Sequence, residues 1–290
     1  MLVEASSSYT RPVTDHPTVA ILGAGAIGEV LADGLLAAGW PAADLILVAR
    51  REERRREVET ATGVTATLDP VAAVRGRDVV VVAVKPGDVL ALLDQIVGAV
   101  VPDQVVITLA AGVPTSVFER ALGAVPVVRA MPNTPAQISE AITALAPGGH
   151  AGEAALAHAQ VVLEAVGETI VLDETLLDAA TAVSGTGPAY LFILAEALVE
   201  AAIREGLPWH AAERLVEQTM RGAGMLLAGV DATPARLRAQ VTSPGGTTAA
   251  AVHVLEERGF RAIIEDAVRA AAQRSRDLGE RIAGSSTGGS

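Results

Sequence analysis

The residues best suited to chemistry stand in a few short clusters. Gly23-Ala24-Gly25-Ala26-Ile27-Gly28 follows the apolar run Val19-Ala20-Ile21-Leu22 and opens a helical pattern. In that context the first glycine permits a tight turn and the second lets a ligand approach the backbone. The third lets helix and strand pack closely, and the N–H groups at the helix start face an anion. The spacing therefore predicts a dinucleotide pyrophosphate on this turn, with Gly23, Ala24, Gly25, Ala26 and Ile27 as its contacts. The next apolar run, Leu45 to Val48, ends in Ala49-Arg50-Arg51, and carboxylates follow only at Glu52 and Glu53. A carboxylate at that place would hold a ribose 2′-hydroxyl, whereas paired guanidinium groups suit a 2′-phosphate. Arg50 and Arg51 thus point to NADP(H) over NAD(H), with NAD(H) still usable. The competing reading is that they merely begin the solvated run 50–56.

Lys85 is the only lysine and Asn133 the only asparagine. Ala83-Val84-Lys85-Pro86 closes another strong apolar run, and ligands of open parallel sheets lie beyond the carboxyl ends of strands. Lys85 is therefore expected to lie near the cofactor, with Ala83, Val84 and Pro86 beside it in the chain. Asn133 lies between two prolines in Arg129-Ala130-Met131-Pro132-Asn133-Thr134-Pro135, which predicts a rigid loop presenting its amide. An ordinary turn is the alternative for it. Further on, Ser184-Gly185-Thr186-Gly187-Pro188 reads as a small-residue loop entering a long helix. In Thr242-Ser243-Pro244-Gly245-Gly246-Thr247-Thr248, Ser243 can cap a helix whose first residue is Pro244. The N–H groups of Gly245, Gly246, Thr247 and Thr248 would then face a carboxylate or phosphate, unless this is an ordinary capped start. The five histidines, His16, His150, His158, His210 and His253, show no metal-ligand spacing, and cysteine is absent, so no metal site is expected.

The elements that must position these residues follow from periodicity. Short apolar runs alternate with helical patterns between residues 18 and 173: Val19–Leu22, Leu45–Val48, Val79–Val84, Val105–Ile107, Val125–Val128 and Ile170–Leu172. Such alternation predicts an α/β fold, an N-terminal Rossmann-type domain with a mostly parallel sheet and helices on both faces. An all-helical domain for substrate and oligomerisation is expected over 174–283, with tails at 1–17 and 284–290. The helix from Pro188 to Glu205 is apolar almost all round, broken only by Glu196, Glu200 and Arg204. A domain of this size cannot bury such a helix alone, which predicts a homo-oligomer.

Composition narrows the partners. The chain has 290 residues, with 22 basic against 34 acidic, a net charge of −12 that argues against nucleic acid. The longest aliphatic run, Val79–Val84, stops at Lys85, short of the roughly 20 residues a membrane span needs, so no span is expected. The first residues lack an apolar signal core, which suggests a cytoplasmic protein.

Taken together, Val84-Lys85-Pro86, Arg129 to Pro135, Ser184 to Tyr190, Thr242 to Thr248 and His253-Val254-Leu255-Glu256 resemble pyrroline-5-carboxylate reductase in order and spacing. The resemblance spans about Thr18 to Ile282. It implies reduction of the cyclic imine to L-proline with NAD(P)H, the last step of proline synthesis. It further implies a homodimer assembled into a larger ring such as a decamer. By the same resemblance Thr248 hydrogen-bonds the ring nitrogen as the catalytic residue, and Ser243 supports the pocket. Ala83, Val84, Lys85 and Ala111 would line the cofactor, with Asn133 at the nicotinamide end. The chain departs from the family pattern at Pro70 or its neighbour, where an asparagine is common, and at Gln240. Two other readings compete. A related NADP-dependent dehydrogenase of small hydroxy acids would need a lysine on the first long helix of the second domain, and the only lysine is Lys85. A non-catalytic dinucleotide-binding sensor would have no need of the Ser243 to Thr248 motif.

Overall fold

The computed structural model describes residues 16–229 and 233–285. The chain divides into two compact units, one running to Leu177 and regaining the chain from Leu278, the other spanning Asp178–Asp277.

In the first unit an eight-stranded sheet is ordered β3-β2-β1-β4-β5-β6-β7-β8. The strands are β1 (Val19–Leu22), β2 (Leu45–Val48), β3 (Ala66–Thr67), β4 (Val79–Val82), β5 (Val105–Thr108), β6 (Val127–Met131), β7 (Ala141–Pro147) and β8 (Gly167–Val171). All neighbours run parallel except β6 and β7. The first six strands in order 3-2-1-4-5-6 are the doubly wound dinucleotide-binding arrangement. Helices α1 (Ala26–Ala37), α2 (Glu52–Thr62), α3 (Pro70–Val74), α4 (Val89–Ile96), α5 (Thr115–Leu122) and α6 (Glu153–Leu163) connect them.

Alternation along each strand sends neighbouring side chains to opposite faces. Val19 and Ile21 join Leu31, Leu35 and Leu47 in one buried cluster, while Ala20 and Leu22 join Leu93, Ile96 and Phe118 in the other. Each such large side chain contributes about 1.5–3 kcal/mol on burial, so the sheet is stabilised from both sides. Two strands escape the β-branched pattern. β3 has only two residues, and β7 reads Ala-Ile-Thr-Ala-Leu-Ala-Pro, in which alanine gives no strand signal.

Three segments at the expected boundaries pack within the first unit. Of the expected N-terminal tail, residues 1–15 lie outside the described residues, but His16 and Pro17 are packed. The His16 ring stacks on Trp40 with centroids 4.0 Å apart. The Trp40 indole N–H donates to the Pro17 carbonyl at 3.1 Å. Glu174 belongs to the first unit: its carboxylate accepts from the Thr115 N–H (2.8 Å), the Thr115 hydroxyl (2.6 Å) and Arg129 (3.3 Å). At the other end, a methyl group on Gly279 would lie 2.6 Å from the Gly112 carbonyl oxygen, so the end of the last helix packs within the first unit.

The second unit is helical: α7 (Leu177–Ala180), α8 (Gly187–Arg204), α9 (Trp209–Leu227), α10 (Pro234–Gln240), α11 (Thr247–Glu257) and α12 (Phe260–Ser285) as far as Asp277. Leu191, Phe192 and Ile193 of α8 are more than half exposed. The expectation of no membrane-length segment needs correction. Among the described residues, the helical stretch Glu174–Arg204 is by length and composition apolar enough to cross a bilayer, and little of it is buried. Its many alanines raise the average without forming a long run of valine or leucine, which is why the run length missed it.

Candidate active site

The glycine turn is built by backbone packing. The N–H groups of Gly23 and Ala24 both donate to the Val48 carbonyl, at 3.1 and 2.9 Å. Gly23 has φ +127°, and a Cβ there would lie 2.7 Å from the Ala83 carbonyl oxygen. A Cβ on Gly28 would lie 2.1 Å from the Gly23 carbonyl oxygen. Both positions therefore exclude any side chain. Gly25, the residue capping α1, differs: a Cβ there would meet nothing within 4 Å. Gly23 and Ala24 thus shape the turn rather than offer donors. The first-turn N–H groups from Gly25 to Ile27 have no acceptor inside the helix, and Gly25 and Ala26 are exposed. An open cradle over an uncapped helix start fits a dinucleotide pyrophosphate.

The loops after β2 and β4 flank this turn, since β1 lies between those strands. Arg50 is exposed and donates to Asp88 at 2.9 Å. Arg51 caps α2 without a side-chain bond and has no ion-pair partner among the described residues. Ala83 is buried, Val84 and Pro86 are half-buried, and Lys85 is exposed where the chain leaves the β4 end. Ala111 lies half-buried in the turn after β5. Two participants escaped the sequence reading. Asp88 was hidden because nothing local pairs it with Arg50, 38 positions away. Arg54 donates its Nε–H to the Ala24 carbonyl at 2.8 Å and pairs with Glu29, tying α2 to the glycine turn. Its only signal was membership of an arginine run.

Asn133 does not present a free amide. Its side-chain oxygen accepts from the Ile142 N–H at 3.1 Å, so it bridges the end of β6 to β7. The turn reading describes that oxygen. The Pro70 departure is structural as well: Pro70 is the first residue of α3, and Asp69 caps the helix by accepting from the N–H groups of Val71 and Ala72.

In the helical unit, the segment read as a small-residue loop before α8 is instead a π-helical turn, Thr181–Gly185, continuous with the helix. Side-chain hydroxyls stabilise it. Ser184 donates to the Ala180 carbonyl at 2.9 Å. The hydroxyls of Thr186 and Tyr190 bond each other at 2.7 Å and converge on the Ala182 carbonyl, at 2.7 and 3.1 Å.

The start of α11 also differs from expectation. The helix begins at Thr247 with Gly246 as cap, not at Pro244 with Ser243 as cap. Gly245 has φ +71°, and the Gly246 N–H donates to the Ser243 carbonyl at 3.1 Å, closing a turn that keeps Pro244 outside the helix. A Cβ on Gly246 would lie 2.4 Å from the Ser243 hydroxyl oxygen, so that hydroxyl is seated against the glycine backbone. The Gly246 N–H is consequently spent, and the free donors are those of Thr247, Thr248 and Ala249. The Thr248 hydroxyl, on the second helical residue, has no partner among the described residues.

Comparison with known proteins resolves the assignment. Residues 174–278 match the family model described as pyrroline-5-carboxylate reductase dimerisation, and residues 18–112 match NADP oxidoreductase coenzyme F420-dependent. The chain is 42% identical to pyrroline-5-carboxylate reductase of Mycobacterium tuberculosis over 284 residues, covering 90% of this chain and 96% of that protein. This chain belongs to the pyrroline-5-carboxylate reductase family. The solved reductase from Coxiella burnetii superposes with TM-score 0.86 at 34% identity, covering 90% of this chain and 98% of the other. The Plasmodium falciparum enzyme, solved with NADP bound, superposes with TM-score 0.80 at 26% identity, covering 91% and 98%. Every motif that carried the resemblance lies within the stretch these relatives share. The apolar stretch Glu174–Arg204 lies within the matched dimerisation model, residues 174–278.

Proposed function

We propose that this reductase holds its substrate on the N–H groups of Thr247, Thr248 and Ala249, with the Thr248 hydroxyl on the ring nitrogen. The reaction is the family's: reduction of 1-pyrroline-5-carboxylate to L-proline with NAD(P)H. Bound NADPH supplies a hydride to the imine carbon, and a proton at the ring nitrogen completes the secondary amine. The residues of this chain bind and orient. Three first-turn N–H groups and the positive end of α11 suit a carboxylate. The Thr248 hydroxyl can donate to an imine nitrogen or accept from its protonated form. A threonine is a poor acid unaided, so its part is to orient the ring rather than to drive proton release. Placement of two reactants accounts for most of what such a transfer requires.

The first-turn residues Gly25, Ala26 and Ile27 hold the pyrophosphate, with Ala83, Val84, Lys85, Pro86 and Ala111 beside the cofactor. Asn133 shapes the nicotinamide end through its bond to β7. Arg50 and Arg51 meet the 2′-phosphate, which makes NADPH the preferred donor and NADH a usable one. The exposed α8 face serves oligomerisation of at least a dimer, with a decameric ring as the fuller assembly, in the cytoplasm.

One observation carries this reading. Thr248 offers an unpartnered hydroxyl directly beside free helix N–H groups, behind a turn that needs both Gly245 and Gly246. The test is NADPH oxidation with 1-pyrroline-5-carboxylate, run beside NADH and a 2-keto acid. Turnover is expected with the imine alone. Thr248→Ala should lower kcat about 10-fold or more while leaving the NADPH Kd within twofold. Loss of NADPH binding in that variant would show the site to be misplaced.

A further inference from the structure

The Arg50–Asp88 ion pair joins the loops after β2 and β4, on either side of the glycine turn. Arg51, next to it, has no ion-pair partner among the described residues. One of the two arginines assigned to the 2′-phosphate is therefore already satisfied by a carboxylate of the same chain. We propose that Asp88 is a specificity-determining residue that lowers the preference for NADPH over NADH by competing with the 2′-phosphate for Arg50. This inference rests on the phosphate role given to Arg50 above.

The chemistry is an exchange of acceptors. A phosphomonoester carries between one and two negative charges near neutral pH and binds a guanidinium in the same forked manner as a carboxylate. When NADPH binds, Arg50 either leaves Asp88 for the phosphate or stays and leaves the phosphate facing an acidic neighbour. Both outcomes oppose NADPH, and neither touches NADH, which has a neutral hydroxyl at that place. The pair is open to solvent, with Arg50 74% and Asp88 41% exposed, so its influence is moderate and is screened by salt. The Asp88 side chain makes no capping bond to α4, so its carboxylate is free of a structural duty there.

The experiment measures equilibrium Kd values for NADPH, NADH, 2′,5′-ADP and 5′-AMP on the intact protein and on Asp88→Asn, Arg50→Ala and the double variant. Asp88→Asn should tighten NADPH and 2′,5′-ADP about threefold to fivefold, the size of an exposed ion pair. NADH and 5′-AMP should change less than twofold. The gain should vanish in the Arg50→Ala background and shrink toward unity as salt is raised from about 0.05 to 0.5 M. An unchanged NADPH-to-NADH ratio in Asp88→Asn, with Arg50→Ala still weakening NADPH, overturns the role of Asp88 and leaves the phosphate reading intact. Weaker NADPH binding in Asp88→Asn overturns it too, since Asp88 would then be positioning Arg50. An Arg50→Ala variant with unaltered NADPH affinity removes the phosphate reading itself. Unfolding curves for each variant keep a folding defect separate from a binding one.

Discussion

Gly25 and Gly28 make the sharpest paired test of the glycine turn, because the same substitution should act on different quantities. Gly28→Ala places a methyl group 2.1 Å from the Gly23 carbonyl oxygen and 3.2 Å from an Ile21 methyl. Ordinary contact begins near 3.4 Å, and the obstructing atom is backbone, so α1 must move off β1 by about 1 Å. Overpacking of this kind costs about 1–3 kcal/mol, and a rigid backbone neighbour puts the cost near the top of that range. In a unit of this size that corresponds to a fall in Tm of roughly 6–12 °C. Gly25→Ala adds its methyl to open space, at φ −89° and ψ −174°, a conformation any residue adopts. A poorer cap costs about 0.5–1 kcal/mol, and the smaller entropy of the unfolded chain returns a similar amount. Stability should therefore stay within about 0.5 kcal/mol, while the methyl group occupies the cradle assigned to the pyrophosphate and weakens NADPH at least 10-fold. Urea unfolding and fluorescence titration with NADPH measure both on each variant. If Gly25→Ala loses more stability than Gly28→Ala, or binds NADPH as the parent does, the reasoning about which glycine serves packing and which serves the ligand is wrong.

Three further outcomes are expected. Glu174→Ala should destabilise the protein by about 2–3 kcal/mol, because it strips the Thr115 N–H, the Thr115 hydroxyl and the buried Arg129 of one shared acceptor. Glu174→Gln should cost clearly less in the same urea titration, and equal losses would deny the charge a role. Hydrogen bonds from Arg55 and then Arg56 hold the Glu52 carboxyl down at about 2. A depressed carboxylate stabilises the fold above its unfolded range near 4.5, and that contribution is lost as pH falls toward about 2. The stability difference between the parent and Glu52→Gln should thus be constant at neutral pH and shrink between those values; a difference independent of pH refutes the pairing. Finally, Phe192→Glu on the exposed α8 face should shift the protein to monomer in light scattering, and an unchanged mass would place the subunit contact elsewhere.

Much of the fold could be read in one dimension because its signals are local. Val79-Val80-Val81-Val82 can be little other than a strand covered on both sides, and Gly-x-Gly-x-x-Gly after Val19–Leu22 carries its own turn chemistry. β7 was not legible, since its alanines become strand-forming only when β6 and β8 supply the ladder beside them. The π-helical turn before α8 was hidden for a similar reason. Ser184, Thr186 and Tyr190 look like loop residues until their hydroxyls are seen on carbonyls one or two turns back.

The sequence by itself determined which residue types stand where chemistry could be done: a lone lysine, a lone asparagine, paired arginines after the second strand, and a threonine behind two glycines. Only the tertiary structure decided what each is free to do. Asn133 has its amide oxygen bound to the Ile142 N–H, Gly246 has given its N–H to Ser243, and Arg50 is held by a carboxylate 38 positions away. A residue type states which bonds a side chain can make. The bonds already made depend on neighbours that the chain supplies only after it has folded back on itself.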